Sequence, residues 1–469
     1  MTDITTKKKR ATVFTYELIV SHGHTSPSLT VNTVTLADDA PIPDDVPVVI
    51  AVDCIDMVRL QGKDDRVIIK SWEIDAPTLL DMLLQAAPHK IGVMVLDDMS
   101  DEGNARVAAI EMVLYEFHMR ASWSIVSMPR VALAQVSNLG LMHRYRDARQ
   151  ALSAFINVPW LVVASGPSLA ERTIGLVRHM QKYCVVAAVD SSIQALVENN
   201  IKPDVFVCLE NCARKRRFSD FVTGQTDMAM ACMTHTSQTA IRRTQLPLAM
   251  YSGHKQHIAQ IVNEHRPGTW TKLDEDPSGF SVTNLAVAVA LHHSPSPCFI
   301  VGHDLSLTDG HTHHEWSMDE DKPVPENPGH EAREVDAIGG GTVVQPWLFG
   351  RMAGWYSELR HDNQKRIVNL TRRGAIIPGI HHRLTPDMGA PESLHAQRGL
   401  FRELLKEAQP YFSGEDRRKA FAELRWKMRG DDTFLYLRNP VEVWNKTQRR
   451  HKVLRHWDRL LERIEGMYA

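Results

Sequence analysis

Cysteine is scarce and unpatterned in this chain. Six cysteines (Cys54, Cys184, Cys208, Cys212, Cys232 and Cys298) are spread over 469 residues. Only Cys208 and Cys212 are close, and no second pair completes a zinc-site spacing. Most sit in apolar runs, which predicts reduced core thiols in a cytoplasmic protein. Long hydrophobic runs are missing, so no segment reads as a membrane span. Residues 1–10 are polar and basic with no apolar stretch after them, unlike a signal peptide, and Lys7-Lys8-Lys9-Arg10 reads as a solvated tail. Charge of one sign is also lacking: the formal net charge is −2. No global field therefore draws the chain to nucleic acid or to an anionic membrane, although local basic patches stay open. There is no internal repeat, no low-complexity tract, no three-glycine dinucleotide fingerprint and no Walker lysine.

What is present is an ordinary globular composition, 43% hydrophobic and 23% charged, on a chain long enough for more than one domain. Three regions are expected: an α/β domain over 12–140, a second α/β domain over 157–385, and a helical region over 391–469. In the first, 48–52, 67–70 and 91–96 read as strands. Residues 104–119 read as a helix with Ala108, Met112, Leu114 and Tyr115 near one face. Residues 142–156 read as a connecting helix.

In the second domain, strands are expected at 159–164, 184–189, 205–209, 228–233, 246–251 and 298–302. Helices are expected at 169–183, 193–199 and 282–292. This alternation predicts right-handed crossovers and a Rossmann-like, mostly parallel sheet. From 310 to 346 the chain is rich in His, Asp, Glu, Pro and Gly, which reads as a long surface loop or lid. Residues 367–371 and 375–377 are expected to return to the sheet. After Pro391 the chain turns helical and basic. There Val443, Thr447, Leu454, Trp457, Leu461 and Ile464 form an apolar stripe, with Arg449, Lys452, Arg455, Arg459 and Arg463 largely outside it.

The chemistry is suggested by where polar residues fall. Four apolar strands end in small or acidic groups: Ser165, Asp190, Glu210 and Asp304. In a parallel sheet the carboxyl ends share one rim, where ligands bind. One such residue marks only a strand exit into solvent; four together favour a site. Ser165-Gly166-Pro167-Ser168 joins the first strand to its helix. Gly166 admits close backbone approach and Pro167 stiffens the turn. Ser168 with Glu171 forms a capping-box pattern, and amides at a helix start favour phosphate; a well-capped helix explains the same residues equally well.

The densest polar cluster runs from Gly302-His303-Asp304-Leu305 through Asp309, His311, His313 and His314. Its spacing fits no tight two-ligand metal pattern. A histidine near neutral pKa beside carboxylates suits general-base work, and a solvated loop is the alternative. Arg214-Lys215-Arg216-Arg217 and Arg372-Arg373 read either as phosphate clamps or as solvated faces.

The order of these motifs carries a resemblance. Ser-Gly-Pro-Ser-Leu (165–169), Val-Asp-Ser-Ser (189–192), Asn-Ile-Lys-Pro-Asp-Val-Phe-Val (200–207) and Ser-Gly-Phe-Ser-Val (278–282) come first. Gly-His-Asp-Leu (302–305), Asp-Gly-His-Thr-His (309–313) and Asn-Leu-Thr (369–371) follow. Together they resemble the domain shared by the motility accessory factor (Maf) flagellin glycosyltransferases and the MptE-like 6-hydroxymethylpterin pyrophosphokinases, over 157–385. The chain departs from that pattern at Glu210, His303 and Arg372-Arg373.

The resemblance implies a transferase that uses a CMP-activated nonulosonic (sialic-like) acid on a protein or glycan acceptor, flagellin among them, with no cofactor required. It implies donor contacts from Ser165, Gly166, Pro167, Ser168, Asp190, Ser191, Glu210, Ser278 and Gly279, and catalysis by His313 with Asp304 and Asp309. No residue is assigned to a metal. The alternatives are ATP-dependent diphosphate transfer to a hydroxymethylpterin, with Mg²⁺ held by carboxylates such as Asp190, Glu210 or Asp304, and an inactive nucleotide-binding accessory protein.

Overall fold

The computed structural model describes 128–209, 227–253, 267–275, 281–307, 310–313, 332–386 and 394–411, five strands before residue 97, and scattered residues besides. These fall into two compact units, one up to Arg130 and the other from Val131.

The first unit holds a mixed sheet in the order β2-β1-β5-β3-β4, built from β1 (Ala11–Ile19), β2 (Ser28–Leu36), β3 (Val48–Ala51), β4 (Val67–Lys70) and β5 (Lys90–Leu96). β1 pairs antiparallel with β2 and β5, whereas β3 runs parallel to β4 and β5. The last three strands match the apolar runs read from the sequence. β1 and β2 escaped that reading because threonine and other polar residues interrupt the apolar ones along both, which weakens the hydrophobic signal. Among the helical residues of 105–117, the buried set is Ile110, Val113, Leu114 and Phe117, spaced as one helix face. Of the face expected there, Leu114 is confirmed; Ala108, Met112 and Tyr115 lie outside the described side chains.

The second unit begins within α1 (Met128–Leu141) and contains a parallel sheet ordered β11-β10-β9-β8-β7-β6-β12-β15-β16. Its strands are β6 (Trp160–Val163), β7 (Val185–Val189), β8 (Val205–Cys208), β9 (Ala229–Met233), β10 (Leu248–Ser252), β11 (Thr271–Lys272), β12 (Cys298–Val301), β15 (Ile367–Asn369) and β16 (His381–His382). Every residue of β6 to β10 and of β12 is buried. That is why these strands read as unbroken apolar runs: helices cover both faces of a parallel sheet.

The helices of this unit include α2 (Glu171–Met180), α3 (Ile193–Glu198), α4 (Val282–His293), α5 (Trp347–Glu358) and α6 (His395–Glu407). α4 is buried from Thr283 to Leu291 and packs on β6, β7, β8 and β12. Inside it, Asn284 donates from Nδ2 to the carbonyl of Met352 at 3.2 Å, tying α4 to α5. α6 seats Leu394, Phe401 and Leu405 in the core, with Phe401 4.7 Å from the Phe155 ring. Four described cysteines, Cys184, Cys208, Cys232 and Cys298, are free and buried, and burial raises Cys184, Cys232 and Cys298 to about 12. Cys54 and Cys212, the run 214–217 and the apolar stripe of 443–464 lie outside the described residues.

Several expectations are corrected. The 142–156 segment is not one helix but a 3-10 turn, the short helix Arg149–Leu152 and a second 3-10 turn. The 310–346 stretch is not loop throughout, because β13 (Ala332–Asp336) and β14 (Thr342–Pro346) form an antiparallel hairpin within it. The turn Gly339-Gly340-Gly341 has positive φ at all three residues, which glycine accepts without strain. Residues 375–377 are not a sheet strand: Ala375 makes an isolated bridge to Ala337, and β16 takes the edge.

Candidate functional site

The sheet order places the site. From β6 the chain runs outward through β7, β8, β9, β10 and β11, then returns to the other side of β6 with β12. β6 and β12 are therefore neighbours whose following segments diverge to opposite sides, and the crevice beyond their carboxyl ends is a topological switch point. Residues 164–169 follow β6 and 302–306 follow β12, so both line this crevice. Asp190 and Ser191 follow β7, adjacent on the same rim because all three strands are parallel.

The two segments are closely joined. The Gly166 amide donates to the Gly302 carbonyl at 2.7 Å, and a Cβ on Gly166 would lie 2.6 Å from that oxygen and 2.9 Å from Asp304 Cγ. Glycine is required there by space alone. The Ser168 amide donates to Asp304 Oδ2 at 2.7 Å and its hydroxyl donates to Oδ1. Ser165 and Ser191 share a hydroxyl hydrogen bond of 2.7 Å, and the Ser192 hydroxyl donates to the Val163 carbonyl. Asp190 is buried and accepts from the Ser191 amide at 2.9 Å.

The role expected of Ser168 in capping is corrected. α2 begins at Glu171, with Ala170 at the N-cap and no side-chain cap. The Ser168 carbonyl instead accepts from the Thr173 hydroxyl at 2.7 Å. The amides of Gly166 and Ser168, expected to face a ligand, are bound to Gly302 and Asp304. A buried carboxylate thus takes the place the sequence reading assigned to a phosphate.

Asp304 has its pKa raised to about 6: burial disfavours the anion, and the two Ser168 bonds and the nearby Arg373 charge only partly restore it. Its neighbour His303 is buried, held near 3 by desolvation, and stacks edge-on against Tyr356 at 5.8 Å. Burial therefore favours the neutral imidazole at this position. Leu305 follows in the left-handed region at φ 48°, a conformation costly for leucine, and Gln345 Nε2 holds its carbonyl at 3.0 Å.

Residues distant in sequence complete the wall. Thr371 Oγ1 accepts from the His303 amide at 3.0 Å, and the Ala375 amide donates to the Asp304 carbonyl at 2.8 Å. Thr371 belongs to the Asn-Leu-Thr motif already singled out. Ala375, Gln345 and Tyr356 gave no sequence signal, since each acts through its place in the fold.

His313 is half-buried, with Nδ1 2.9 Å from Thr312 Oγ1. Pro167 is half-buried in the loop turn. Glu210, Ser278, Gly279 and Asp309 lie outside the described residues. Among the described residues no group of three or more His, Cys, Asp or Glu side chains could hold a metal ion, and no helix is long and apolar enough to cross a membrane.

A Rossmann-like α/β domain with a polar crevice at its switch point is the class that fold and site define. Residues 134–310 match the family model described as 6-hydroxymethylpterin diphosphokinase MptE-like, one of the two groups that the motif order resembles. Among solved structures, the chain is similar to the MAf glycosyltransferase from Magnetospirillum magneticum AMB-1. That match has 15% identity and a TM-score of 0.51, and covers 89% of this chain and 66% of that one. The chain thus spans just under two thirds of that protein's length. No curated protein matches the sequence.

Proposed function

We propose that the chain is a glycosyltransferase that holds a CMP-activated nonulosonic acid in the crevice between β6 and β12 and passes the sugar to a hydroxyl of a protein or glycan. The observation that carries this reading is the meeting of Ser165, Ser168, Asp190, Ser191 and Asp304 at the switch point of the sheet. The fold likeness to a Maf glycosyltransferase supports it. In this reading His313 deprotonates the acceptor hydroxyl, whose oxygen attacks the anomeric carbon. The bond to the nucleotide phosphate breaks, and the phosphate leaves with the electron pair. Asp309 orients the acceptor. Asp304, bound to Ser168, sets the shape of the donor loop.

A second reading is favoured by the family match over 134–310: diphosphate transfer from ATP to a hydroxymethylpterin. Such chemistry relies on Mg²⁺ to neutralise the phosphates. Of the carboxylates expected to hold that ion, Asp304 accepts from Ser168 at both oxygens and Glu210 lies outside the described residues.

Thermal shift with CMP, CDP and ATP, each in EDTA and in Mg²⁺, separates the readings. CMP or CDP should raise Tm in EDTA, and ATP with Mg²⁺ should do little. Metal-dependent release of AMP from ATP in the presence of a hydroxymethylpterin would establish the second reading. Nucleotide binding with no turnover of either donor class would mark an inactive accessory module.

A further inference from the structure

The crevice presents a charge problem to any nucleotide. Asp190 and Asp304 stand on its rim, and three of the loop amides are already spent: Gly166 on Gly302, Ser168 on Asp304, Leu169 on the Gly166 carbonyl. A phosphate entering here needs a cation from elsewhere in the fold.

The segment 371–375 supplies one. Before Arg373 it is fixed by Thr371, whose amide donates to Asn369 Oδ1 at 3.0 Å and whose hydroxyl oxygen accepts from the His303 amide. After Arg373 it is fixed by Gly374 and Ala375. Gly374 has φ 105° and sits so near Asp304 that a Cβ would lie 2.6 Å from the Asp304 Cα. The Ala375 amide donates to the Asp304 carbonyl, and the Gly374 carbonyl accepts from Ile338 at 2.9 Å. Arg373 is therefore held at the crevice from both sides while its own side chain stays exposed. Among the described residues it forms no ion pair. Preorganised backbone beneath a long exposed guanidinium is the arrangement that binds a mobile anion, and its planar fork matches two phosphate oxygens.

Resting on the reading of this crevice as the nucleotide site, we infer that Arg373 receives the phosphate of the bound nucleotide, doing the work the Gly166 and Ser168 amides cannot. The half-buried neighbour Arg372 carries the same charge and serves as the control.

The test is calorimetric binding of CMP against cytidine and of AMP against adenosine, to the full chain and to Arg373→Ala and Arg372→Ala. In the unaltered chain the monophosphate of the preferred base should bind about ten- to a hundredfold more tightly than its nucleoside, the range for a charge-assisted hydrogen bond. Arg373→Ala should erase that increment and leave nucleoside affinity unchanged, while Arg372→Ala keeps it. An increment retained in Arg373→Ala, lost equally in Arg372→Ala, or absent from the unaltered chain overturns the assignment to Arg373 while nucleotide binding stands. Failure of all four compounds to bind the unaltered chain instead removes the nucleotide site itself, and this inference with it.

Discussion

Ser168 gives both its backbone amide and its hydroxyl to the carboxylate of Asp304, a residue 136 positions further along the chain. This one contact closes the loop after β6 onto the segment after β12. It converts an anticipated phosphate cradle into a preformed wall in which the Gly166 and Ser168 amides are already hydrogen-bonded.

Asp304 should leave a signature in the pH dependence of stability. Its folded pKa, about 6, lies above the unfolded value near 3.8. As pH rises from 4 to 6 the unfolded chain releases this proton first, so the group's contribution is full below 4 and lost by about 6. The groups facing it are Ser168 and Arg373. In Asp304→Asn the side-chain oxygen still accepts from the Ser168 amide, and the loss disappears. Denaturant titrations at pH 4 and 7 should show the variant gaining about 3 kcal/mol on the parent between the two. Parallel curves would refute the assignment.

His303 acts in the opposite sense. Its folded pKa near 3 lies below the unfolded value near 6.5, so stability present above 6.5 drains away as pH falls towards 3. His303→Phe keeps a ring against Tyr356 and leaves the backbone bond to Thr371 in place. The expected result is an acid unfolding midpoint shifted to lower pH, with about 2 kcal/mol less loss between pH 8 and pH 5. An unchanged acid limb in urea melts would show that this imidazole is not held neutral.

Gly166 tests the close approach of the two segments. With its hypothetical Cβ 2.6 Å from the Gly302 carbonyl, even Gly166→Ala must push β6 and β12 loops apart. A loss of about 1–3 kcal/mol in chemical denaturation is expected, as for other overpacked sites. A full-stability alanine variant would mean the loops are not joined in this way.

Arg398 fixes α6 to the opposite end of the sheet. It donates to both oxygens of Asp204, at 2.7 and 2.8 Å, and to the carbonyls of Gln181 and Cys184. The Asp204 side chain is 7% exposed, so Arg398→Met should cost about 3–5 kcal/mol by stranding a buried carboxylate. Adding Asp204→Asn to that variant should recover part of the loss, because the stranded charge is removed. Equal stabilities for the single and double variants, measured by guanidinium unfolding, would show that the charge was never uncompensated.

The sequence by itself determined the α/β class and most of the central strands. A strand buried on both faces must be apolar at every position, and runs such as Trp160–Val163 and Val185–Val189 are legible for that reason. The same logic put Ser165, Asp190 and Asp304 at strand ends. β1 and β2 were not legible, because threonine and other polar residues interrupt the apolar ones and leave no strong hydrophobic run. Only the tertiary structure decided which strands are neighbours, and with that the partners of the loop amides. A capping pattern spans four residues and is readable locally, whereas Asp304 reaches Ser168 only because β12 folds back beside β6. The same return brings Gly374 and Ala375 against the Asp304 backbone and leaves Arg373 at the rim, a placement set by packing between segments that no local pattern encodes.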